Sequence, residues 1–238
     1  MVAQDMVTRA GVAQDCSAPV VTIDGPGGAG KGTIAQMLSR KLGWHLLDSG
    51  ALYRLTGLTA LKKGVALDDV AALTELCLHL DVEFVPGQAG EPTRVLLAGD
   101  DVTGELRTEV SGERASVVAA IPEVRDALLQ RQRDFQQQPG LVADGRDMGT
   151  VVFPGAKIKL YLTASVQERA ERRFNQLKAR GESVKMPALL KDIQARDERD
   201  MNRSTSPLRP AKDAIEIDTT GMPIGAVFDK VLEITGRT

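Results

Sequence analysis

The residues with the clearest chemical meaning form a glycine-rich segment near the start of the chain. Gly25, Gly30 and Lys31 have the Gly-x-x-x-x-Gly-Lys spacing of a phosphate-binding P-loop. Small residues in such a loop let several backbone N–H groups point at one phosphate, and the helix that follows presents its positive end. The lysine would bridge the β and γ phosphates of a nucleoside triphosphate. The predicted triphosphate-binding residues are Gly25, Pro26, Gly27, Gly28, Ala29, Gly30, Lys31, Gly32 and Thr33.

The residue after the P-loop lysine departs from the general motif. Most P-loops have Ser or Thr there to bind Mg²⁺, whereas this chain has Gly32 followed by Thr33. Glycine has no side chain, so direct binding of a metal by that position is excluded. Magnesium keeps its water ligands readily. We therefore expect Mg²⁺ to be held mostly through its waters and by the phosphates, and we predict no metal ligand from the protein itself.

Arginine and aspartate recur at helical spacing near the end of the chain. Arg196, Asp200 and Arg203 are spaced i, i+4, i+7, which puts them on one face of a helix, where the carboxylate can order two guanidinium groups. A solvated face with exposed ion pairs, worth about 0–1 kcal/mol each, is the alternative. The spacing alone does not separate the two.

A polar Asp-Gly-Arg-Asp sequence at residues 144–147 directly follows the apolar residues 141–143. If residues 141–143 form a strand, Asp144, Arg146 and Asp147 project beyond its carboxyl end, where open α/β sheets bind ligands. A simple Asp-Gly turn is the alternative.

Short apolar segments that alternate with helical patterns must position these groups. The β-branched run at 20–23 predicts a buried strand entering the P-loop, and residues 34–42 have helical spacing that stops at Gly43. Ser165 and Glu168 have capping-box spacing at the start of a charged helix. The alternation predicts an α/β fold with a doubly wound, parallel P-loop sheet and helices on both faces. Further strands are predicted at 141–143, 157–162 and 214–217, and further helices at 187–203 and 222–235.

Residues 49–140 interrupt this alternation and are predicted to form an inserted subdomain that carries substrate contacts. Two helical stretches are followed by strand patterns at 82–85 and 94–98, joined by a long loop, which predicts a small antiparallel sheet. A further helix is predicted to begin near Pro122 and to stop before Pro139.

The remaining segments complete the predicted domain organisation. Residues 1–18 are predicted to be a flexible tail, and residues 19–48 and 141–238 form the predicted P-loop core. Residues 172–187 are basic and interrupted by glycine, which favours a short lid that closes over the triphosphate and expels water. A solvated, charged helix end is the alternative.

The composition excludes several classes of protein. The 238 residues are 42% hydrophobic and 26% charged, so a wholly disordered chain is excluded. No run approaches the roughly 18 apolar residues of a membrane-spanning helix, and the chain does not start with the apolar stretch of a secretory signal. We therefore expect a cytoplasmic protein. The net charge of -2 gives no general basic field for a nucleic acid polymer, and the two cysteines lack disulfide or zinc spacing.

Four motifs in this order resemble bacterial cytidylate kinases, a family of nucleoside monophosphate kinases. They are the GKGT end of the P-loop, DSGALYR at 48–54, ADGRDMG at 143–149 and RDERDMNR at 196–203. The likeness runs from about residue 19 to the end, with Gly27 where a serine is common. The resemblance implies a monomer that transfers the γ-phosphoryl group of ATP to CMP, and to dCMP. Another acceptor such as UMP or AMP stays open.

The resemblance also implies how the phosphates are bound. Phosphoryl transfer brings two polyanions together, so positive charge and alignment matter most. Arg54 and Arg146 are expected on the acceptor phosphate, and Asp144 is a candidate for the waters of Mg²⁺. The acceptor phosphate has a second pKa of about 6 and is largely dianionic near neutral pH, so no dedicated general base is required. The predicted catalytic residues are Lys31, Arg146, Arg196 and Arg203.

Recognition of the nucleoside is likewise implied by the resemblance. Cytosine has an amine donor beside two acceptors, which a carboxylate and an arginine or hydroxyl can read. Asp147 is expected on the amine, with Arg125 and Ser116 on the acceptors, and Arg196 and Asp200 on the ribose. The predicted acceptor-binding residues are Ser49, Tyr53, Arg54, Ser116, Arg125, Arg146, Asp147, Arg196 and Asp200.

Overall fold

The computed structural model describes residues 18–85 and 93–236. The strands are β1 (Val20–Asp24), β2 (His45–Asp48), β3 (Val82–Val85), β4 (Arg94–Leu97), β5 (Asp100–Asp101), β6 (Leu141–Asp144), β7 (Ile158–Thr163) and β8 (Ile215–Asp218). The helices are α1 (Lys31–Leu42), α2 (Ser49–Lys62), α3 (Val70–Leu78), α4 (Thr103–Leu106), α5 (Glu109–Val118), α6 (Pro122–Arg133), α7 (Val166–Ala179), α8 (Met186–Asn202) and α9 (Ile224–Thr235). A π-helical turn, Met148–Val152, lies between β6 and β7. The predicted tail, apart from the buried Ala18, and the tip of the predicted hairpin lie outside the described residues.

Five parallel strands form the core sheet in the order β2-β6-β1-β7-β8, which confirms the predicted doubly wound α/β fold. All residues of the central strand β1 are buried. Val20 packs in a hydrophobic cluster that includes residues of α2, whereas Val21 and Ile23 pack in a second cluster with residues of α1 and α9. A strand covered on both faces needs apolar side chains at successive positions, which explains the continuous run in the sequence.

Three neighbouring strands bring acidic residues to one edge of the core sheet. Asp24 ends β1, Asp48 ends β2 and Asp144 ends β6. Asp144 pairs in register with Ile23 on one side and with Asp48 on the other. The P-loop and the Asp-Gly-Arg-Asp sequence therefore leave the sheet side by side, at the edge where parallel sheets bind ligands.

A second sheet has three antiparallel strands in the order β3-β4-β5. Val82 pairs with Leu97 and Val85 with Arg94, as predicted for the hairpin. β4 ends one residue earlier than predicted because Ala98 has a φ of 50° in the turn before β5. The short elements β5 and α4 were not predicted, since two and four residues give no periodic pattern.

The segment predicted as a lid comprises the second half of α7 and the connection to α8. Ser165 caps α7 as predicted, with its Oγ accepting from the N–H of Glu168 at 3.2 Å. Gly181, with a φ of 76°, follows α7. Arg173 and Arg180 donate to the carbonyl oxygen of Arg107 at 3.2 and 3.4 Å, so this segment contacts the predicted insertion. Every helix among the described residues is too short or too polar to span a membrane.

Candidate active site

The P-loop is shaped by glycines that no other residue could replace without strain. Gly25 has a φ of 142°, and a Cβ there would lie 1.9 Å from the carbonyl oxygen of Leu162. Gly30, with a φ of 91°, directly precedes α1 and provides no side-chain cap. The first N–H groups of α1 are therefore left for an anionic ligand.

Lys31 and Asp144 face each other at the floor of the site. Nζ of Lys31 donates to the carbonyl oxygen of Pro26 at 3.0 Å and lies 3.9 Å from Oδ1 of Asp144. Burial lowers the pKa of Lys31, while Asp144 works against that shift. Burial raises the pKa of Asp144 to about 7, although Lys31 opposes the rise. A Cβ at Gly32 would lie 3.3 Å from Oδ2 of Asp144, so the glycine gives this carboxylate room.

A cleft of about 740 Å³ opens above the P-loop. Residues 27–33 line it, together with Asp48 and Asp144. In the described part of the chain, its arginines come from α2, from the residue after α4, from the loop after β6 and from α7 and α8. They are Arg54, Arg107, Arg146, Arg169, Arg172, Arg173 and Arg196. This density of positive charge suits a polyphosphate.

A recess of about 30 Å³ adjoins the cleft. Arg146 and Arg196 line both spaces. The other predicted acceptor-binding residues that line the recess are Ser49, Tyr53, Ser116, Arg125, Asp147 and Asp200, and Arg203 joins them. Arg54 alone among the predicted acceptor-binding residues lines only the larger cleft.

Internal ion pairs fill the recess. Arg125 donates to Asp147, and its guanidinium lies 5.4 Å from the centre of the Tyr53 ring. Arg146 donates to Asp200. Burial alone would lower the pKa of Arg146, but the charge and hydrogen bond of Asp200, together with Asp144 and Asp197, raise it overall. These pairs leave little free space in the recess, about 30 Å³.

Several buried polar atoms have no hydrogen-bond partner among the described residues. Those on residues that line the cleft or the recess are Nε of Arg54, Oη of Tyr53, Oγ of Ser116, Nε of Arg125, Nε of Arg196 and Nη2 of Arg203. Native proteins rarely leave such groups unsatisfied, so each is a candidate contact for a polar ligand. Burial, reinforced by Arg146 and Arg54, lowers the pKa of Arg196 to about 9. An anion bound beside Arg196 would oppose that shift.

Comparison with known proteins identifies the family. The family model described as Cytidylate kinase matches residues 21–237. The chain belongs to the cytidylate kinase family. It is 58% identical over 215 residues to the cytidylate kinase of Pseudomonas fluorescens (strain SBW25), with 90% of this chain and 94% of that protein covered. It is 60% identical over 211 residues to the cytidylate kinase of Shewanella amazonensis (strain ATCC BAA-1098 / SB2B), with 89% and 91% covered. A solved structure of a gluconokinase from Sinorhizobium meliloti 1021 covers 92% of each chain at 15% identity and a TM-score of 0.44, a likeness too distant to support a conclusion.

Membership of the cytidylate kinase family confirms the predicted resemblance and the class of enzyme, a nucleoside monophosphate kinase. Of the predicted P-loop residues, Gly25 and Pro26 do not line the cleft. Gly25 instead allows close packing against β7, and Pro26 accepts a hydrogen bond from Lys31. His45 and His79 line neither space.

Arg169 was missed by sequence reasoning. It is 3% exposed, and its Nη1 donates to the carbonyl oxygen of Gly27 at 3.1 Å. The same side chain donates to both carboxylate oxygens of Asp197, at 3.1 and 2.5 Å. Asp197 directly follows Arg196 in α8, so one arginine ties the P-loop of this cytidylate kinase family member to the helix that carries a predicted catalytic residue.

Proposed function

We propose that this chain transfers the γ-phosphoryl group of ATP to CMP, and to dCMP, giving ADP and CDP or dCDP. The observation that carries the proposal is that Arg146 and Arg196 line both the P-loop cleft and the recess. A group passing from one space to the other would stay in contact with both guanidiniums. Charge stabilisation and alignment are the main demands of phosphoryl transfer.

The donor is proposed to bind in the cleft. The amides of residues 27–33 and the start of α1 bind the β and γ phosphates, and Lys31 bridges them. Arg196 then stabilises the charge that spreads over the transferred group. Burial and the neighbouring Arg146 and Arg54 lower the pKa of Arg196, so an anionic group bound beside it would be favoured, which supports this role.

The nucleoside of the acceptor is proposed to bind in the recess, with its phosphate reaching into the cleft, which Arg54 lines. Arg54 and Arg146 bind its phosphate, Asp200 binds the ribose, and the base exchanges with the internal pair of Arg125 and Asp147. Asp147 accepts from the cytosine amine, while Arg125 donates to the ring acceptors. The unpartnered Oγ of Ser116 supports a further contact with the base. The phosphate is already a dianionic nucleophile near neutral pH, so none of these residues needs to remove a proton.

Magnesium is proposed to enter with ATP. Asp144 is the carboxylate that fits, since burial raises its pKa to about 7 despite the nearby lysine, and a divalent cation would favour its ionised form. We propose that the cation is held mostly through its waters and by the phosphates. Bound in this way, the cation would neutralise phosphate charge.

We also propose functions for the predicted domains. Residues 49–140 act as the acceptor-binding insertion and residues 172–187 as a lid that excludes water from the donor. We propose a monomer, because the residues assigned to both substrates belong to one chain. We propose the cytoplasm as its location, because ATP and nucleoside monophosphates are metabolites of that compartment.

The test is a coupled ADP-release assay with ATP and each of CMP, dCMP, UMP and AMP. We expect kcat/KM to be highest for CMP, with dCMP also accepted. Higher kcat/KM for UMP or AMP would contradict the proposed acceptor, and ADP release without any monophosphate would contradict the proposed transfer.

A further inference from the structure

Asp24, the last residue of β1, has a buried carboxylate to which the proposed reaction assigns no role. The side chain is enclosed, with the residue 3% exposed. Its Oδ1 accepts from the backbone N–H of Met148 and its Oδ2 from that of Gly149, both at 2.8 Å. Both oxygens therefore bind the main chain of another segment, 124 and 125 residues away.

That segment carries two residues of the proposed acceptor site. Arg146 and Asp147 lie between Gly145, whose N–H donates to the carbonyl oxygen of Ile23 at 3.1 Å, and the two amides held by Asp24. The last two residues of β1 thus anchor the loop on both sides of the Arg-Asp pair.

The close approach of this loop to β1 depends on a missing side chain. A Cβ at Gly149 would lie 2.9 Å from Oγ1 of Thr22. Glycine lets the amide at this position reach the carboxylate of Asp24. The contact is thus built from both segments, with a carboxylate on one and a glycine on the other.

We propose that Asp24 is a positioning residue for the acceptor nucleotide. By holding the amides of Met148 and Gly149, it fixes Asp147 against the base and Arg146 against the phosphates. Gly25, the first P-loop residue, follows Asp24 directly, so the same residue sets the acceptor loop relative to the donor loop. Asp24 itself contacts neither substrate. This inference rests on the proposed function.

The test is Asp24→Asn, which keeps the shape of the side chain but puts an NH₂ group where one of the two acceptor oxygens was. One loop amide then loses its acceptor, and the Arg-Asp pair shifts. Small misplacements of reacting groups cost up to about 100-fold in rate, so we expect kcat/KM for CMP to fall about 10- to 100-fold. The ratio of kcat/KM for CMP to that for UMP should fall with it, while KM for ATP stays near the wild-type value. A general loss of structure would instead impair both substrates.

Asp69→Asn is the matched control. Asp69 also accepts from a backbone N–H, that of Ala72 at 3.0 Å, but at the start of α3 and outside the cleft and the recess. We expect its kinetic constants to equal those of the wild type. If Asp24→Asn does not fold, Asp24→Glu replaces it, because it keeps both acceptor oxygens but moves them by one methylene. The same selective loss with CMP is expected.

Unchanged CMP constants and an unchanged CMP-to-UMP ratio in the Asp24 variant would overturn the inference, as would an equal rise in KM for ATP. If the wild type instead prefers another monophosphate, the proposed acceptor is wrong, and the comparison with that monophosphate still tests whether Asp24 positions the loop.

Discussion

At the scale of single residues, Lys31 is the cation whose removal most directly tests the donor site. Its ammonium group is buried and its pKa is lowered. Because methionine is unbranched and similar in length to lysine, the replacement removes the charge without creating a cavity. We expect Lys31→Met to fold and to lose a factor of about 10³ or more in kcat, by analogy with other groups that stabilise phosphate charge. The coupled assay and urea denaturation measure the two effects.

Lys41→Met is the control for that variant, because Lys41 is exposed near the end of the same helix. It should retain wild-type kcat. Near-normal turnover by Lys31→Met would remove Lys31 from the proposed mechanism.

Asp147 is the residue that we propose selects the base. Asp147→Asn replaces an acceptor for the cytosine amine by an amide, and it leaves Arg125 without its anionic partner. The loss of the partner of Arg125 should lower kcat/KM for every acceptor nucleotide by a similar factor. It therefore cancels in the ratio of kcat/KM for CMP to that for UMP. We expect kcat/KM for CMP to fall at least about tenfold more than kcat/KM for UMP, since a good paired contact to a base is worth about 1–3 kcal/mol. The exposed Asp126, on α6, provides the control Asp126→Asn. Equal losses with both nucleotides would exclude Asp147 from base recognition.

At the scale of elements, Arg169 joins α7, α8 and the P-loop. Besides Gly27 and Asp197, it donates from Nε to the carbonyl oxygen of Ala164 at 3.0 Å. Arg169→Lys keeps the charge but loses the planar fork. We expect the free energy of unfolding to fall by about 2 kcal/mol, the range of hydrogen bonds to charged groups, and KM for ATP to rise. Urea denaturation and initial rates check both, with the exposed Arg199→Lys as the control. Wild-type stability of Arg169→Lys would contradict a joining role.

The elements also show what a sequence can and cannot predict. β1, the P-loop and α1 have signals within one short stretch, so β1 and the end of α1 were predicted to within one residue, although α1 begins at Lys31, three residues before the predicted helical spacing. Ser116 and Arg125 lie in ordinary helical sequence, yet they are 5% and 6% exposed, because α5 and α6 share a hydrophobic cluster with α2 and α3 through contacts that their own periodicity does not encode. Only resemblance to a family pointed to them. Arg169 had no such signal, since its partners Asp197 and Gly27 are 28 and 142 residues away.

At the scale of the whole molecule, buried carboxylates make stability depend on pH. Burial raises the pKa of Asp24 from 3.8 to about 6, with Asp147 adding to the rise and the two loop amides and Lys31 opposing it. The stability this group contributes is therefore fully present below pH 3.8 and is lost as the pH rises through about 6. The side-chain amide introduced by Asp24→Asn cannot ionise, so that variant lacks this loss.

We accordingly expect the stability of Asp24→Asn relative to the wild type to improve by about 1 kcal/mol between pH 5 and pH 8. The hydrogen bond lost in Asp24→Asn changes the free energy of unfolding by the same amount at pH 5 and at pH 8. Urea denaturation of both proteins at several pH values measures the difference. Parallel curves would show that the buried carboxylate has an ordinary pKa.

The recess occupied by its own ion pairs has a consequence for inhibitor design. Its free volume is only about 30 Å³, so a compound that competes for the recess has to exchange salt bridges. Useful leads would carry a hydrogen-bond donor for Asp147 and an anionic group for Arg146. Their affinity would report the free energy needed to break the ion pairs Arg125–Asp147 and Arg146–Asp200.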